Sequence, residues 1–127
     1  MIEKNIQDKN NVEIVYNIIL EKYWNNFGTE ENLDQNFWEY NSEQKSDSIW
    51  TDLFETSSEL YFKINQKLYE KNIILSKKDI IKLIEFTFLQ VIRDKLLKHP
   101  KCSDIEFKEK FINDSKEFEE NWEKNRC

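Results

Sequence analysis

The chain has 127 residues, of which 39% are hydrophobic and 14% aromatic, with a formal net charge of −6. This length and this many large apolar side chains exclude an intrinsically disordered chain and favour one folded domain. A single glycine and a single proline exclude a turn-rich β-sandwich or barrel, because tight turns need residues that tolerate positive φ. We therefore predict an all-α, single-domain bundle of four to five helices over residues 1–127, with a flexible N-terminal arm at residues 1–10.

The first third of the chain predicts one clear helix and one short helical segment. Asn10 and Glu13 stand in the relation of an N-cap and the third helical residue. Apolar residues then recur at helical spacing up to Gly28, a typical helix stop: Val12, Val15, Tyr16, Ile19, Leu20, Tyr23 and Phe27. Residues 29–40 predict a helical turn or two. Residues 41–46 lack apolar side chains and predict a loop, with Ser46 as the next N-cap.

A long helix is predicted from about residue 47 to residue 70, followed by a short connector that could be extended at residues 72–75. The apolar stripe of the helix consists of Ile49, Leu53, Leu60, Ile64 and Leu68. Thr56, Ser57 and Ser58 are its predicted weak point, because adjacent hydroxyl groups compete for backbone hydrogen bonds. We expect the helix to bend or break there.

The last third predicts two more helices. Ser76 and Asp79 resemble a capping box at the start of the most apolar stretch, residues 77–98, which predicts a buried central helix. Pro100 ends this helix, since the residue before a proline is driven out of helical geometry. Ser103 and Glu106 predict a further capping box, and the final helix that follows carries an aromatic stripe: Phe107, Phe111, Phe118 and Trp122.

The charge is distributed unevenly along the chain. Residues 29–59, called here the acidic segment, hold nine acidic residues and one basic residue, Lys45, a net charge of −8. Residues 63–101, called here the basic stretch, hold ten basic and four acidic residues, a net charge of +6. The acidic segment also contains two of the four tryptophans, and a tryptophan among carboxylates is typical of an interface hot spot. The predicted partner-binding residues are Trp38, Glu39, Glu43, Asp47, Trp50, Asp52, Glu55 and Glu59.

Catalytic and cofactor chemistry finds little support in the sequence. A single histidine, His99, excludes a multi-histidine metal site, and its place beside Pro100 favours a role at the end of a helix. With Gly28 as the only glycine, a phosphate-binding or dinucleotide-binding loop is excluded. Asp52, Glu55 and Glu59 share a helical face, but a solvated or partner-binding face is favoured over a cation site. We expect no cofactor, no metal and no enzymatic activity.

Cys102 and Cys127 are interpreted as two free thiols, which together with the absence of a signal peptide favours a reducing cytoplasm. No apolar run approaches the length of a membrane span.

Two short segments resemble known families. His99 and Pro100, followed by Ser103, Asp104 and Ile105, are similar to a corner of the acidic immunity proteins of nuclease colicins, over seven positions. The final helix up to Trp122 resembles the end of the helical export domains of malaria parasites. We assign the chain to neither family.

The favoured function is a protein-binding inhibitor or adaptor, with the acidic segment docking on a basic, nucleic-acid-handling protein such as a nuclease or a ribonucleoprotein. Small size, acidity and missing catalytic groups suggest a phage anti-defence protein of the anti-CRISPR kind, or alternatively a toxin-neutralising immunity protein. A second alternative is a nucleic-acid-binding protein that uses the basic stretch. The separation of charge also permits self-association between acidic and basic segments.

Overall fold

The computed structural model describes residues 9–24 and 37–124. Over these residues the chain forms four α-helices and no strand, which confirms the predicted all-α class. The helices are α1 (Lys9–Ile19), α2 (Ser42–Glu70), α3 (Lys77–Val91) and α4 (Ile105–Lys124). A π-helical turn extends α1 (Leu20–Trp24) and another extends α3 (Ile92–Leu96), while a 3-10 turn (Phe37–Glu39) precedes α2.

Several expectations fall outside the described residues: the N-terminal arm up to residue 8, the helix stop at Gly28, and helical turns at residues 29–36. The side chains of Tyr23 and Trp122 also lie outside the described part. Lys9 and Asn10 are already helical, so the prediction of Asn10 as the N-cap of the first helix is wrong.

Helix α3 is the centre of the bundle and contacts α1, α2 and α4. The predicted central apolar helix near residues 77–98 is confirmed, and Ser76 caps it as expected, its hydroxyl accepting a hydrogen bond from the Asp79 N–H at 3.2 Å. Burial of large apolar side chains supplies most of the favourable free energy of folding. Six of those on α3 are at most 1% exposed: Ile80, Leu83, Ile84, Phe88, Leu89 and Val91.

Three polar contacts tie α1 and α4 to the C-terminal end of the central helix. The Tyr16 hydroxyl of α1 donates a hydrogen bond to the Asp94 carboxylate at 3.1 Å. Burial and then this hydrogen bond raise the pKa of Tyr16, so the hydroxyl stays protonated and continues to donate. On the other side, the Arg93 guanidinium donates to the Ser115 hydroxyl at 3.3 Å and lies 3.4 Å from the Glu119 carboxylate, both on α4.

Helix α2 begins five residues earlier than the sequence predicts. Asn41 is its N-cap and forms a reciprocal capping box with Gln44, with hydrogen bonds of 2.8 Å and 3.1 Å. The prediction of a loop at residues 41–46, with Ser46 as the cap, is therefore wrong. Both residues are of good N-cap types, but Ser46 is buried against the core and Asn41 is exposed beside the 3-10 turn.

The expected break at Thr56, Ser57 and Ser58 is also wrong, because α2 runs through all three residues without interruption. The Ser57 hydroxyl donates to the Leu53 carbonyl, four residues back, at 2.9 Å. A serine bonded in this way is compatible with a continuing helix, since its hydroxyl shares the carbonyl rather than displacing the backbone N–H. Thr56 and Ser57 are both buried, so the packing of this face holds the helix together.

Helix α2 ends in a Schellman motif at residues 71–73. The Ile73 N–H donates to the Leu68 carbonyl and the Asn72 N–H to the Tyr69 carbonyl, both at 2.9 Å. Asn72 takes the left-handed conformation that this motif needs, with φ of 63°. The turn lets α3 fold back along α2 within six residues.

We expect Asn72→Val to destabilise the protein by about 1–2 kcal/mol, because a β-branched side chain is strained at positive φ. Asn72→Gly should be neutral or stabilising by a few tenths of a kcal/mol, since glycine adopts this conformation without a steric penalty. Urea unfolding of both variants measures the effect. Equal stability of the valine and glycine variants would show that the left-handed turn is not formed in solution.

Candidate functional site

The acidic residues of α2 lie on the half of the helix that faces away from the core. Glu43, Asp47, Glu55 and Glu59 are exposed and Asp52 is partly exposed. The opposite half of the same helix carries the buried stripe: Ile49, Leu53, Leu60, Ile64 and Leu68. Glu39 lies just before α2 and is also exposed. The structure therefore brings the predicted carboxylates to one side of one helix.

These carboxylates form two neighbouring rows. Positions separated by three or four residues adjoin on a helix surface. Glu43 and Asp47 lie on one row, which continues through Phe54 and Ser58, and Asp52, Glu55 and Glu59 form the second row. Among the described residues, no ion pair joins Glu43, Asp47, Glu55 or Glu59 to a basic side chain. Their charges are therefore left to face solvent.

Two exposed phenylalanines lie within this surface. Phe54 is 54% exposed, and Phe62, which adjoins both Ser58 and Glu59, is 77% exposed. Neither was among the predicted site residues. Phe62 does lie off the apolar stripe of Leu60, Ile64 and Leu68, and this mismatch in spacing was the signal that could have revealed it. We call the surface formed by Glu43, Asp47, Asp52, Phe54, Glu55, Glu59 and Phe62 the acidic–aromatic face.

Lys45, the only base of the acidic segment, points into the bundle instead of neutralising this face. The residue is 5% exposed. Its ammonium group donates to the Tyr40 carbonyl at 2.6 Å and to the Asp104 carboxylate at 3.3 Å. The one cation of the segment is therefore used to join the start of α2 to the start of α4.

Asp104 is the centre of that junction. Its carboxylate accepts hydrogen bonds from the Phe107 N–H at 3.0 Å and from the Ser42 hydroxyl at 3.0 and 3.1 Å. Asp104 is thus the N-cap of α4, and the predicted capping box of Ser103 and Glu106 is wrong. The bond from Phe107, followed by those from Ser42 and Lys45, lowers the pKa of Asp104 against the opposing effect of burial.

The two predicted hot-spot tryptophans take different positions. Trp50 is partly buried between α2 and α4, with its ring centroid 5.8 Å from that of Phe111 and 5.2 Å from that of Phe118. Trp38 is also partly buried and stacks on His99, with centroids 5.0 Å apart and an interplanar angle of 24°. The Nδ1 atom of His99 accepts a hydrogen bond from the Lys101 N–H at 3.0 Å. Both tryptophans therefore have packing roles within the bundle, and a role in partner binding stays a prediction.

The basic stretch does not form one surface. Lys63, Lys67, Lys71, Lys77 and Lys78 are exposed around the turn between α2 and α3, whereas Lys98 and Lys101 are exposed beyond the other end of α3. Lys77 and Lys98 are separated by the whole central helix, about 30 Å at 1.5 Å per residue. Lys82 is only 1% exposed, and Arg93 pairs with Glu119. The cations of the basic stretch are therefore divided between the two ends of α3 and the interior of the bundle.

Reactive groups and metal ligands are sparse in the described part of the chain. No group of three or more histidine, cysteine, aspartate or glutamate side chains there could hold a metal ion. Cys102 is buried as a free thiol. Burial raises the pKa of Cys102 against the opposing effect of Lys108 and Lys45. The thiol is therefore protonated and a poor nucleophile.

Comparison with known proteins gives no relative: no protein-family model, no curated protein and no solved structure matches the chain. Within residues 9–24 and 37–124, no helix combines the length and the apolar character that crossing a bilayer requires. The acidic–aromatic face is therefore the feature on which a function can be argued.

Proposed function

We propose that the protein is a non-enzymatic inhibitor or adaptor, and that its acidic–aromatic face docks on the basic surface of another protein. A single observation carries this proposal: Glu43, Asp47, Glu55 and Glu59, which form no ion pair among the described residues, share the outward side of α2 with two exposed phenylalanines. Phenylalanine side chains exposed this far lose contact with water when a partner covers them, which favours association. The surrounding carboxylates select a cationic partner and accelerate the encounter.

Stabilisation of the helix itself does not account for the whole acidic face. Negative charges favour the N-terminus of a helix, but the effect is confined to about its first turn. It explains Glu43 in the first turn of α2. Asp52, Glu55 and Glu59 lie in the third turn or beyond, where like charges three or four residues apart weakly destabilise the helix. A partner surface offers a reason for placing them there.

The favoured partner is a protein that handles nucleic acid, because such proteins expose clustered cations that a row of carboxylates can occupy in place of phosphates. Inhibition would then follow from exclusion of the nucleic acid. A phage anti-defence protein of the anti-CRISPR kind, or a toxin-neutralising immunity protein, would act in this way. In both cases the proposed contact is the same: the acidic–aromatic face binds a basic protein surface.

Reversing four charges of the face should abolish binding. We expect Glu43→Lys/Asp47→Lys/Glu55→Lys/Glu59→Lys to lower partner affinity at least about a hundredfold, because like charges facing each other across an interface cost several kcal/mol. The measurement is capture of proteins from nuclease-treated lysate of the source cells by the immobilised chain, quantified by mass spectrometry. Circular dichroism checks that the variant stays helical.

A matched control is available on α4, where four exposed glutamates can be reversed with the same change in net charge: Glu106, Glu109, Glu117 and Glu120. Glu106 lies in the first turn of its helix, as Glu43 does. The control should retain the captured partner. Equal capture by both variants, or capture that disappears with nuclease treatment alone, would refute the proposal, and the second result would indicate nucleic-acid binding.

A further inference from the structure

Beside the acidic–aromatic face lies a groove between α2 and α3 that encloses roughly 380 Å³. Its α2 wall consists of Phe54, Ser57, Ser58, Tyr61 and Phe62, and its α3 wall of Lys77, Ile81 and Glu85. The first and last residues of each wall are eight positions apart, which is about 12 Å or slightly more than two helical turns. The exposed phenylalanines of the face are therefore also one side of a furrow that Tyr61 and Ile81 line as well.

The two ends of the groove differ in charge. Because a short turn joins α2 to α3, the two helices run in opposite directions, so Phe62 lies near Lys77 and Phe54 lies towards Glu85. The Lys77 ammonium group is 5.5 Å from the centroid of the Tyr61 ring, which fixes it at the Phe62 end. At the Phe54 end, the line of the groove continues along α2 to Asp47 and Glu43. One end is thus cationic and the other increasingly anionic.

We infer that this groove receives a cationic amphipathic helix of the partner protein, an inference that rests on the proposed function and deepens it. A furrow between two helices matches the ridge of side chains on a third helix, and two turns of helix can place side chains at spacings of three and four residues into it. The apolar residues of the partner helix lie between Phe54 and Phe62. Its lysine or arginine side chains lie over Asp47 and Glu43 at one end and beside Glu55 and Glu59.

The charge around the groove selects this occupant over others. A nucleic acid strand or an anionic membrane surface would bring its negative charge against Asp47, Glu55 and Glu59. A second copy of the same face would bring the same carboxylates together. A partner helix that is apolar on one side and basic on its flanks satisfies both the phenylalanines and the carboxylates.

The direct test uses two synthetic helical peptides of 14 residues as probes. One has leucine at spacings of three and four residues with lysine elsewhere, and the other has glutamate in place of lysine. Binding to the full-length chain is followed by NMR of its isoleucine methyl groups. We expect the leucine–lysine peptide to bind and to shift the Ile81 methyl signals, and the leucine–glutamate peptide not to bind.

Substitution of the groove residues gives the matched comparison. Phe54→Ser/Phe62→Ser should weaken binding of the leucine–lysine peptide at least about tenfold, as expected for hot-spot side chains. Ile105→Ser/Ile112→Ser replaces two exposed apolar residues of α4 and should leave it unchanged. The inference is overturned if the peptide does not bind, binds without shifting Ile81, or binds the two double variants equally well. It is also overturned if sedimentation shows a dimer that the phenylalanine substitutions dissociate.

The same variants separate this inference from the proposed function. In the lysate experiment, Phe54→Ser/Phe62→Ser should lose the partner just as the charge-reversed variant does. If the serine variant retains a partner that the charge-reversed variant loses, the docking of an acidic face stands and the helix-in-groove inference fails. If both variants retain the partner, both fail.

Discussion

Phe88→Ala is expected to destabilise the protein by about 4 kcal/mol, the largest effect predicted for a single substitution. Phe88 is 0% exposed in the C-terminal half of α3, the helix that contacts the other three helices. Removal of a fully buried phenyl ring loses its transfer free energy and leaves a cavity that the neighbouring helices only partly close, which typically costs 3–5 kcal/mol. Since small domains are stable by roughly 5–15 kcal/mol, much of the stability should disappear.

Urea unfolding followed by circular dichroism measures this loss, with Phe62→Ala as the control. Phe62 is the same residue type on a neighbouring helix but is 77% exposed, so its replacement should change the free energy of unfolding by no more than about 0.5 kcal/mol. Similar losses for the two variants would contradict both the central position of α3 and the exposure of the groove.

Asp104→Ala should destabilise the protein by about 3 kcal/mol. The substitution removes the N-cap of α4, worth about 1 kcal/mol, together with the bond from Ser42. It also leaves the Lys45 ammonium group, whose side chain is only 7% exposed, without its carboxylate. The pair is partly buried, with the lysine on the buried side, and removing Asp104 alone should cost more than removing both partners because the lysine charge stays desolvated.

A double-mutant cycle with Lys45→Met isolates the contribution of the Lys45–Asp104 ion pair to the free energy of unfolding. Methionine retains the apolar stem of the lysine without the charge, so Lys45→Met/Asp104→Ala should be more stable than Asp104→Ala alone. If the losses from the two single substitutions simply add, the pair makes no specific contribution and the effect of Asp104 is one of capping.

The same junction should make folding sensitive to acid. Because the folded-state pKa of Asp104 is lowered, its ionised form stabilises the fold; this contribution is complete above the unfolded pKa, about 4, and is lost as the pH falls through the folded value. The difference in stability between the wild type and Asp104→Asn should therefore be constant above about pH 5 and shrink below pH 4. If the difference in stability between the wild type and Asp104→Asn stays constant below pH 4, ionisation of the Asp104 carboxylate does not stabilise the fold.

Much of the fold could be predicted from local patterns. The helical spacing of apolar residues located α3 and most of α2, and Ser76 was correctly identified as a cap because its hydroxyl and the Asp79 N–H belong to the same turn. The starts of α2 and α4 were misplaced because each offers two residues of a good cap type, Asn41 and Ser46 for α2 and Ser103 and Asp104 for α4. Packing distinguishes them: Ser46 is buried in the core, and Asp104 also accepts hydrogen bonds from Ser42 and Lys45, which meet it only after the chain has folded.

The candidate site was predicted in its charge but not in its apolar part. The acidic segment could be recognised because residue types alone reveal a run of carboxylates. Exposure is a property of packing, however. Trp50 and Phe62 are both aromatic residues on α2, yet Trp50 lies against Phe111 and Phe118 of α4 while Phe62 remains 77% exposed.

By itself, the sequence determined the helical class, the central apolar helix and the clustering of charge. These features depend on the types and spacing of residues that are close together in the chain. Only the tertiary structure decided that Lys45 is buried, that Glu43, Asp47, Glu55 and Glu59 face outward together, and that a groove opens beside Phe54 and Phe62. These outcomes depend on which helices pack against which faces, and such contacts join residues far apart in the chain.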